Sequence, residues 1–379
     1  MSRSRASIIL ACLLLAAPLA AWQDRFDQWQ ASGDLKVMQV DRPGEALAPS
    51  GPLNSLGAPA SGYFQDGLWA SLVEAHVSGP LGWDGFSVML NPKTDLNAAS
   101  FGDLYVQWDT PWQWRLRAGQ ERLPLGWEQQ LGAVHLVTIQ RGLLFGFANY
   151  GHVGPWGLGL LNERAWGLRA DRTWAWAGGG MDVQAGGFDG GGADFNAAVF
   201  GQARLALRQD IGPLSLQAGV DGLYGRASLL GAANTYIPLG QADPAQPPQA
   251  GDAVGGKGAF SLDGLDAGLD MGPLHLRAEA MLERLTVWRR GGVETTAWLD
   301  FPGWQARKPA LYARDEQAFT SRPDGVHRPD SLYRAQTLGL SSPVAWGCSL
   351  KLEAVNFEDD DFQPFAGGRI YQAELLCEF

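Results

Sequence analysis

Tyr371-Gln372-Ala373-Glu374-Leu375-Leu376-Cys377-Glu378-Phe379 closes the chain and carries the pattern from which the fold is read. Its odd positions are Tyr, Ala, Leu, Cys and Phe, and its even positions Gln, Glu, Leu and Glu. Side chains alternate across a strand with period two, so one face of this segment is apolar and the other mostly polar. A half-buried soluble strand and a strand between lipid and a wet lumen both produce this alternation. The choice depends on how often the rest of the chain repeats it, at what length, and what stands at the strand ends.

The pattern recurs. Leu104, Val106 and Trp108 oppose Asp103, Tyr105 and Gln107, and Trp112, Trp114, Leu116 and Ala118 oppose Gln113, Arg115 and Arg117. Val199, Ala203, Leu205 and Leu207 oppose Gln202, Arg204 and Arg208. Leu274, Leu276, Ala278, Ala280 and Leu282 oppose His275, Arg277, Glu279 and Glu283. Between such runs stand proline turns: Gly79-Pro80-Leu81, Thr110-Pro111-Trp112, Gly212-Pro213-Leu214, Gly272-Pro273-Leu274 and Ser342-Pro343-Val344. Proline fixes φ and offers no donor, so it ends a strand and suits a tight turn.

Three features favour the lipid-bathed arrangement. The strands run about ten residues, the length that crosses a bilayer at a tilt. Trp and Tyr crowd the strand ends (Trp69, Trp83, Trp108, Trp112, Trp174, Trp346, Tyr371), as an interfacial girdle requires. Tight connections also alternate with long ones. The long ones are expected at Pro43–Gln65, Gln120–Leu161, Leu229–Gly258 and Arg289–Asp330. The reading is all-β: a transmembrane antiparallel barrel of roughly 14–16 strands, an even number, with one long loop folded into the lumen.

Residues 1–21 read as a secretory signal, with Arg3 and Arg5 ahead of an apolar stretch from Ile8 to Leu15 and a small-residue exit at Ala20-Ala21. Residues 22–379 then form a single barrel domain, expected in the outer membrane of a Gram-negative bacterium. Loss of the two arginines takes the formal charge from −11 to −13. That balance argues against a nucleic-acid partner. No apolar run beyond the first residues is long enough for a membrane helix.

Residues 115–128, R-L-R-A-G-Q-E-R-L-P-L-G-W-E, resemble the signature strand and following loop of the phosphate-selective porin O and P family. The matching positions are Gly119-Gln120, Arg122, Pro124, Leu125, Gly126 and Glu128. Glu163 to Arg169 is similar to that family's return strand, and Gly186 to Gly192 to its glycine-rich turn. The terminal strand with its final Phe379 resembles the assembly signal shared by outer-membrane barrels. The resemblance implies a channel of about 16 strands, often trimeric, whose infolded loop lies somewhere in Gln120–Leu161. On it, Gln120, Glu121, Arg122, Glu128 and Arg141 are the expected constriction-loop residues. Phosphate-selective members line the pore with lysines; this chain has five in all, and phosphate specificity is not carried over.

By parity Arg115, Arg117, Arg169, Arg204, Arg208, Arg277, Asp103 and Glu279 are expected to line the pore. Guanidinium groups in a lumen attract anions. Unpaired they are costly, so pairing with lumen carboxylates such as Asp103, Asp221, Glu279, Glu283 or Glu374 ranks ahead of a pure anion ladder. Glu358-Asp359-Asp360-Asp361 reads as a solvated loop. Cys348 and Cys377 face outward near the same end of the barrel; a disulfide and two separate lipid-facing residues both fit. No metal site, cofactor or catalytic set is expected, since the five histidines lack ligand spacing and no G-x-S-x-G elbow occurs.

The functional expectation is a non-enzymatic porin: a passive diffusion channel for small polar or anionic solutes, in contact with outer-membrane lipid and forming a homotrimer. The alternatives are a barrel enzyme of the lipid-hydrolase kind, a plugged structural or export barrel, and, as a fold fallback, a soluble sandwich.

Overall fold

The computed structural model describes residues 29–41, 67–81, 83–94, 99–128, 130–131, 136–139, 164–189, 199–228, 257–285, 288–302, 308–321, 331–344, 347–359 and 368–378. The first five strands are β1 (Gln30–Asp41), β2 (Gly67–Pro80), β3 (Phe86–Thr94), β4 (Ala99–Asp109) and β5 (Arg115–Arg122). Next come β6 (Arg164–Trp176), β7 (Gly179–Asp189), β8 (Val199–Ile211), β9 (Leu214–Ser228) and β10 (Lys257–Met271). The rest are β11 (Leu274–Leu285), β12 (Trp288–Asp300), β13 (Ala310–Ser321), β14 (Ser331–Pro343), β15 (Cys348–Asp359) and β16 (Gly368–Glu378).

Each strand pairs antiparallel with its neighbours in sequence, and β16 pairs with β1, so the sheet closes into a barrel of 16 strands. Closure satisfies every edge, which a sheet in hydrocarbon needs because lipid offers no hydrogen-bond partner. The stretch quoted first makes the seam: Leu375 opposite Val37 and Cys377 opposite Leu35.

Tight turns gather at one end. Gly212 and Gly272 take the left-handed conformation there, with φ of 60° and 58°, and each is followed by the proline that starts the next strand's approach. Trp83 and Trp112 stand exposed at this end, and Phe101, Trp166 and Tyr224 near the other. Between these belts the outer face is aliphatic, with Leu168, Val199 and Leu265 each more than half exposed. An apolar band between two aromatic girdles is the outer surface of a membrane-spanning barrel.

Two sequence expectations change. Arg289–Asp330 is not one long connection: it contains most of β12 and the whole of β13. Both strands were hidden because polar residues stand on both faces, with Thr295, Asp315 and Gln317 outward and Glu294, Arg314 and Glu316 inward. Gly186 and Gly187 belong to β7 rather than to a turn. A side chain at Gly167 or Gly186 would collide with the ring of Phe188, so these glycines make room for it inside the barrel. The expected signal segment, residues 1–21, lies outside the described residues.

Candidate functional site

Cross-strand partners share a face, so the lumen is read ring by ring. One ring runs Gln107, Arg117, Arg169, Gly186, Gln202, Leu223, Leu262 and Glu283. The next runs Arg115, Asp171, Gln184, Arg204, Asp221, Gly264 and Met281. The inward faces of β7 to β10 also hold Phe188, Phe200, Leu223 and Leu262, all nearly inaccessible. This apolar patch in an otherwise polar lumen marks where something docks.

The chain that docks is the segment after β5. Leu123, Leu125 and Ile139 are 0% exposed, although none belongs to a strand. Pro124 O accepts from Gln202 Nε2 on β8 at 3.0 Å. Gly126 N donates to Asp221 Oδ2 on β9 at 2.9 Å. Trp127 N and Glu128 N both donate to Glu279 Oε1 on β11, the latter at 2.9 Å. Arg314 Nη1 on β13 donates to Glu128 Oε1 at 3.1 Å and to Thr138 Oγ1 at 2.9 Å. Ile139 N donates to Glu353 Oε1 on β15 at 2.5 Å. Lys351 Nζ on β15 donates to Leu136 O, and Lys36 Nζ on β1 to Ile139 O, both at 2.6 Å. The described residues of the loop therefore meet the inner wall at β8, β9, β11, β13, β15 and β1, each through a buried side chain. Buried main-chain groups need partners, and here wall carboxylates and cations provide them.

Aromatic stacking adds a clamp. The Arg277 guanidinium lies 5.3 Å from the Trp127 ring and 5.1 Å from the Trp298 ring, with Asp270 at 2.9 Å. His275 stacks on Trp298 and hydrogen-bonds Asp270. Trp127 and Trp298 also stack on each other, with ring centroids 6.0 Å apart, and the cation beside both rings ties the loop, through Trp127, to β11 and β12.

The wall from β2 to β7 is laced by ion pairs and hydrogen bonds among its own side chains. Arg117 and Arg169 converge on Glu121 at 3.3 and 3.0 Å. Arg115 reaches Asp171 at 3.3 Å and Asp109 at 3.4 Å. Arg164 holds Asp103 at 2.8 Å. His76 Nε2 hydrogen-bonds Asp34 at 3.0 Å, and its other ring nitrogen meets Asn91. A cavity of ≈ 130 Å³ opens at the tight-turn end beside Arg115, Asp171 and Thr110.

The expected pore-lining set thus faces the lumen, and its arginines are paired. Arg204 sits between Asp221 and Asp266 at 2.8 and 2.6 Å. Arg208 stands at the tight-turn mouth beside Asp210, mostly exposed. Three members of the expected constriction loop need correction: Gln120, Glu121 and Arg122 are the last residues of β5. Gln120 lies on the outer face, in line with Leu104 and Trp166, because it is still within β5, which continues two residues past the Gly-Gln pair. Arg122 does reach the loop, at Leu131 O. Glu128 is in the loop, and Arg141 lies outside the described residues.

Sequence reasoning missed Lys36, Asp266, Glu294, Arg314, Glu316, Lys351 and Glu353. Tyr312, Arg314, Glu316 and Ala318 alternate with Leu311, Ala313, Asp315 and Gln317, a signal that the outward Asp315 obscured. Cys348 and Cys377 are direct cross-strand partners and are joined by a disulfide.

A closed 16-stranded barrel with a loop folded along its inner wall has the fold of outer-membrane porins. Among solved structures, a loop L8 deletion mutant of OmpT, an outer membrane protein of Vibrio cholerae, matches with TM-score 0.57 and 11% identity, over 93% of this chain and 99% of its own. OprB of Pseudomonas putida matches with TM-score 0.56 and 9% identity, over 95% and 96%. An anion-selective porin from Comamonas acidovorans matches with TM-score 0.53 and 13% identity, over 93% and 99%. The likeness is one of fold. No family profile and no curated protein sequence matches the chain.

Proposed function

We propose that this protein is an outer-membrane porin, a passive channel for small polar solutes, with its tight turns toward the periplasm. The observation that carries the reading is the loop after β5, whose described residues 123–128, 130–131 and 136–139 are fixed along the inner wall by Gln202, Asp221, Glu279, Arg314, Glu353, Lys351 and Lys36. A loop held this way narrows a wide barrel to a bore between itself and the β2–β7 wall, and size exclusion follows. The resemblance of residues 115–128 to the phosphate-selective porin O and P family agrees with this reading, without phosphate specificity.

Charge selectivity follows from pairing. On the β2–β7 wall Arg115, Arg117, Arg164 and Arg169 each hold a carboxylate, so solute meets paired dipoles rather than a cationic ladder. We therefore read the channel as lacking strong anion preference.

The assembly we propose is a homotrimer. Thr295, Asp315 and Gln336 form a polar stripe on the outer face, with Gln336 Nε2 donating to Asp315 Oδ1 at 3.2 Å. Charge on a lipid-facing position is destabilising, and a neighbouring subunit would cover it. We read the protein as non-enzymatic: His76 and His275 hydrogen-bond to Asp34 and Asp270, and among the described residues neither is paired with a serine hydroxyl.

The test is a planar bilayer holding the folded, purified protein under a potassium chloride gradient. Discrete conductance steps with a zero-current potential near zero or favouring potassium support the proposal. A potential strongly favouring chloride keeps the channel and overturns the paired-wall account. Absence of steps from folded, inserted protein overturns the channel and leaves a plugged barrel, for which the buried Leu123, Leu125 and Ile139 would be the plug.

A further inference from the structure

One cluster of carboxylates is not explained by pinning the loop. Glu279, Glu294 and Glu316 stand side by side on β11, β12 and β13 as direct cross-strand partners. Glu128 of the loop joins them. Carboxylate oxygens of Glu128, Glu279 and Glu294 all lie within 4.8 Å of one another, and each of these residues is 3% exposed. Like charges this close and this dry repel strongly.

The neighbouring groups compensate only part of this charge. Among the described residues Arg314 is the cation of the group, at 3.1 Å from both Glu128 and Glu316. Glu279 uses Oε1 for the main-chain donors of Trp127 and Glu128, and its buried Oε2 has no partner. Among the described residues Glu294 makes no hydrogen bond and no ion pair, and its Oε2 is buried. An unpartnered, almost fully buried carboxylate aimed at two others is the geometry left when an ion is removed from a site. The donors are all carboxylate oxygens, with neither thiolate nor imidazole among them, and they come from three separate segments. Hard oxygen donors of this kind suit calcium, which tolerates irregular geometry and completes its shell with water.

The geometry points to a divalent-cation site, of the calcium class, built by Glu128 of the infolded loop together with Glu279 and Glu294 of the wall. The ion bridges loop to barrel at the middle of the loop's path. It neutralises the carboxylates that Arg314 leaves over, and it fixes the loop more firmly than the main-chain hydrogen bonds do alone. The site goes beyond the channel reading and does not depend on it, because the test reads binding and not conduction.

The experiment uses the full chain folded in detergent, stripped with chelator, and terbium(III) as a luminescent calcium substitute. Trp127, next to Glu128 in the loop, lies close enough to sensitise it on indole excitation. Saturable terbium emission displaced by calcium is expected from the wild type. Glu294→Gln should weaken binding by about tenfold or more, the loss that even outer-shell changes cause at metal sites. This variant is isosteric and removes no loop hydrogen bond; heat-modifiable gel migration checks that the barrel has formed. Glu128→Gln is the second variant if the first does not fold. No saturable emission from the wild type would overturn the proposal and mean that shared protons hold the cluster together. Binding unchanged in the folded variants, or abolished instead by Asp359→Asn with Asp360→Asn, would place the ion at the acidic hairpin and also overturn it.

Discussion

Asp221 of β9 binds the loop and the wall at once: its Oδ2 accepts from Gly126 N at 2.9 Å and from Arg204 Nη1 at 2.8 Å. Gly126 and Asp221 are 95 residues apart, and Asp221 is 3% exposed. Replacement by Ala leaves the Gly126 amide without its acceptor and Arg204 with Asp266 alone. Breaking a buried pair this way costs about 3–5 kcal/mol. Asp221→Ala should lower the urea midpoint of the folded barrel and raise open-channel current noise as the loop loosens. Asp221→Asn keeps an acceptor for Gly126 and should fall between the two. Equal noise in wild type and Asp221→Ala would mean that this bond does not hold the loop.

Lys351 offers a second test at the far end of the loop. Its ammonium donates to Leu136 O at 2.6 Å and faces Glu374 at 3.3 Å, with Lys36 at 2.5 Å on the same carboxylate. Lys351→Met removes a loop contact and half the compensation of a fully buried Glu374. The expected cost is again about 3–5 kcal/mol. Restoring neutrality with Lys351→Met plus Glu374→Gln should recover part of that loss. A double-mutant cycle on denaturation midpoints reads the coupling.

Arg277 separates cation–π stacking from charge. Its guanidinium lies against both Trp127 and Trp298 and pairs with Asp270. Two partly desolvated cation–π contacts are together worth about 1–4 kcal/mol. Arg277→Lys retains the ion pair and loses the flat stack, so it should lose a substantial part of what Arg277→Ala loses. Matching midpoints for Arg277→Lys and wild type would show that the ion pair alone matters.

The Cys348–Cys377 disulfide joins the last two strands across a sequence separation of 29. Closing a loop of that length restrains the unfolded chain by about 3–4 kcal/mol in the chain-entropy account. Reduction, or Cys377→Ser, should lower the denaturation midpoint while leaving single-channel conductance unchanged, because both cysteines face outward, away from the bore. A changed conductance would contradict that placement.

How much of this was legible from the sequence varied by element. Parity alone put Arg117, Arg169, Arg204, Arg277 and Glu279 inside, and the structure agrees, because side-chain direction in a strand is a property of adjacent residues. The method failed at β12 and β13. There Asp315 and Gln317 stand outward, so the polar-apolar contrast that reveals a strand was missing. It also failed at Gln120, since nothing local marks where β5 stops and the loop begins.

By itself the sequence determined the repeated period-two faces, the proline and glycine turns, the aromatic belts and therefore an even-stranded barrel in a membrane. Each of these is written within ten or so neighbouring residues. Only the tertiary structure decided which residues hold the loop. Lys36 meets Ile139 across 103 residues, Glu279 meets Glu128 across 151, and Lys351 meets Leu136 across 215. Contacts of that span depend on how closing the sheet stacks distant strands around one lumen. No local pattern encodes that stacking, and so the carboxylates of Glu128, Glu279 and Glu294 come together only in the folded barrel.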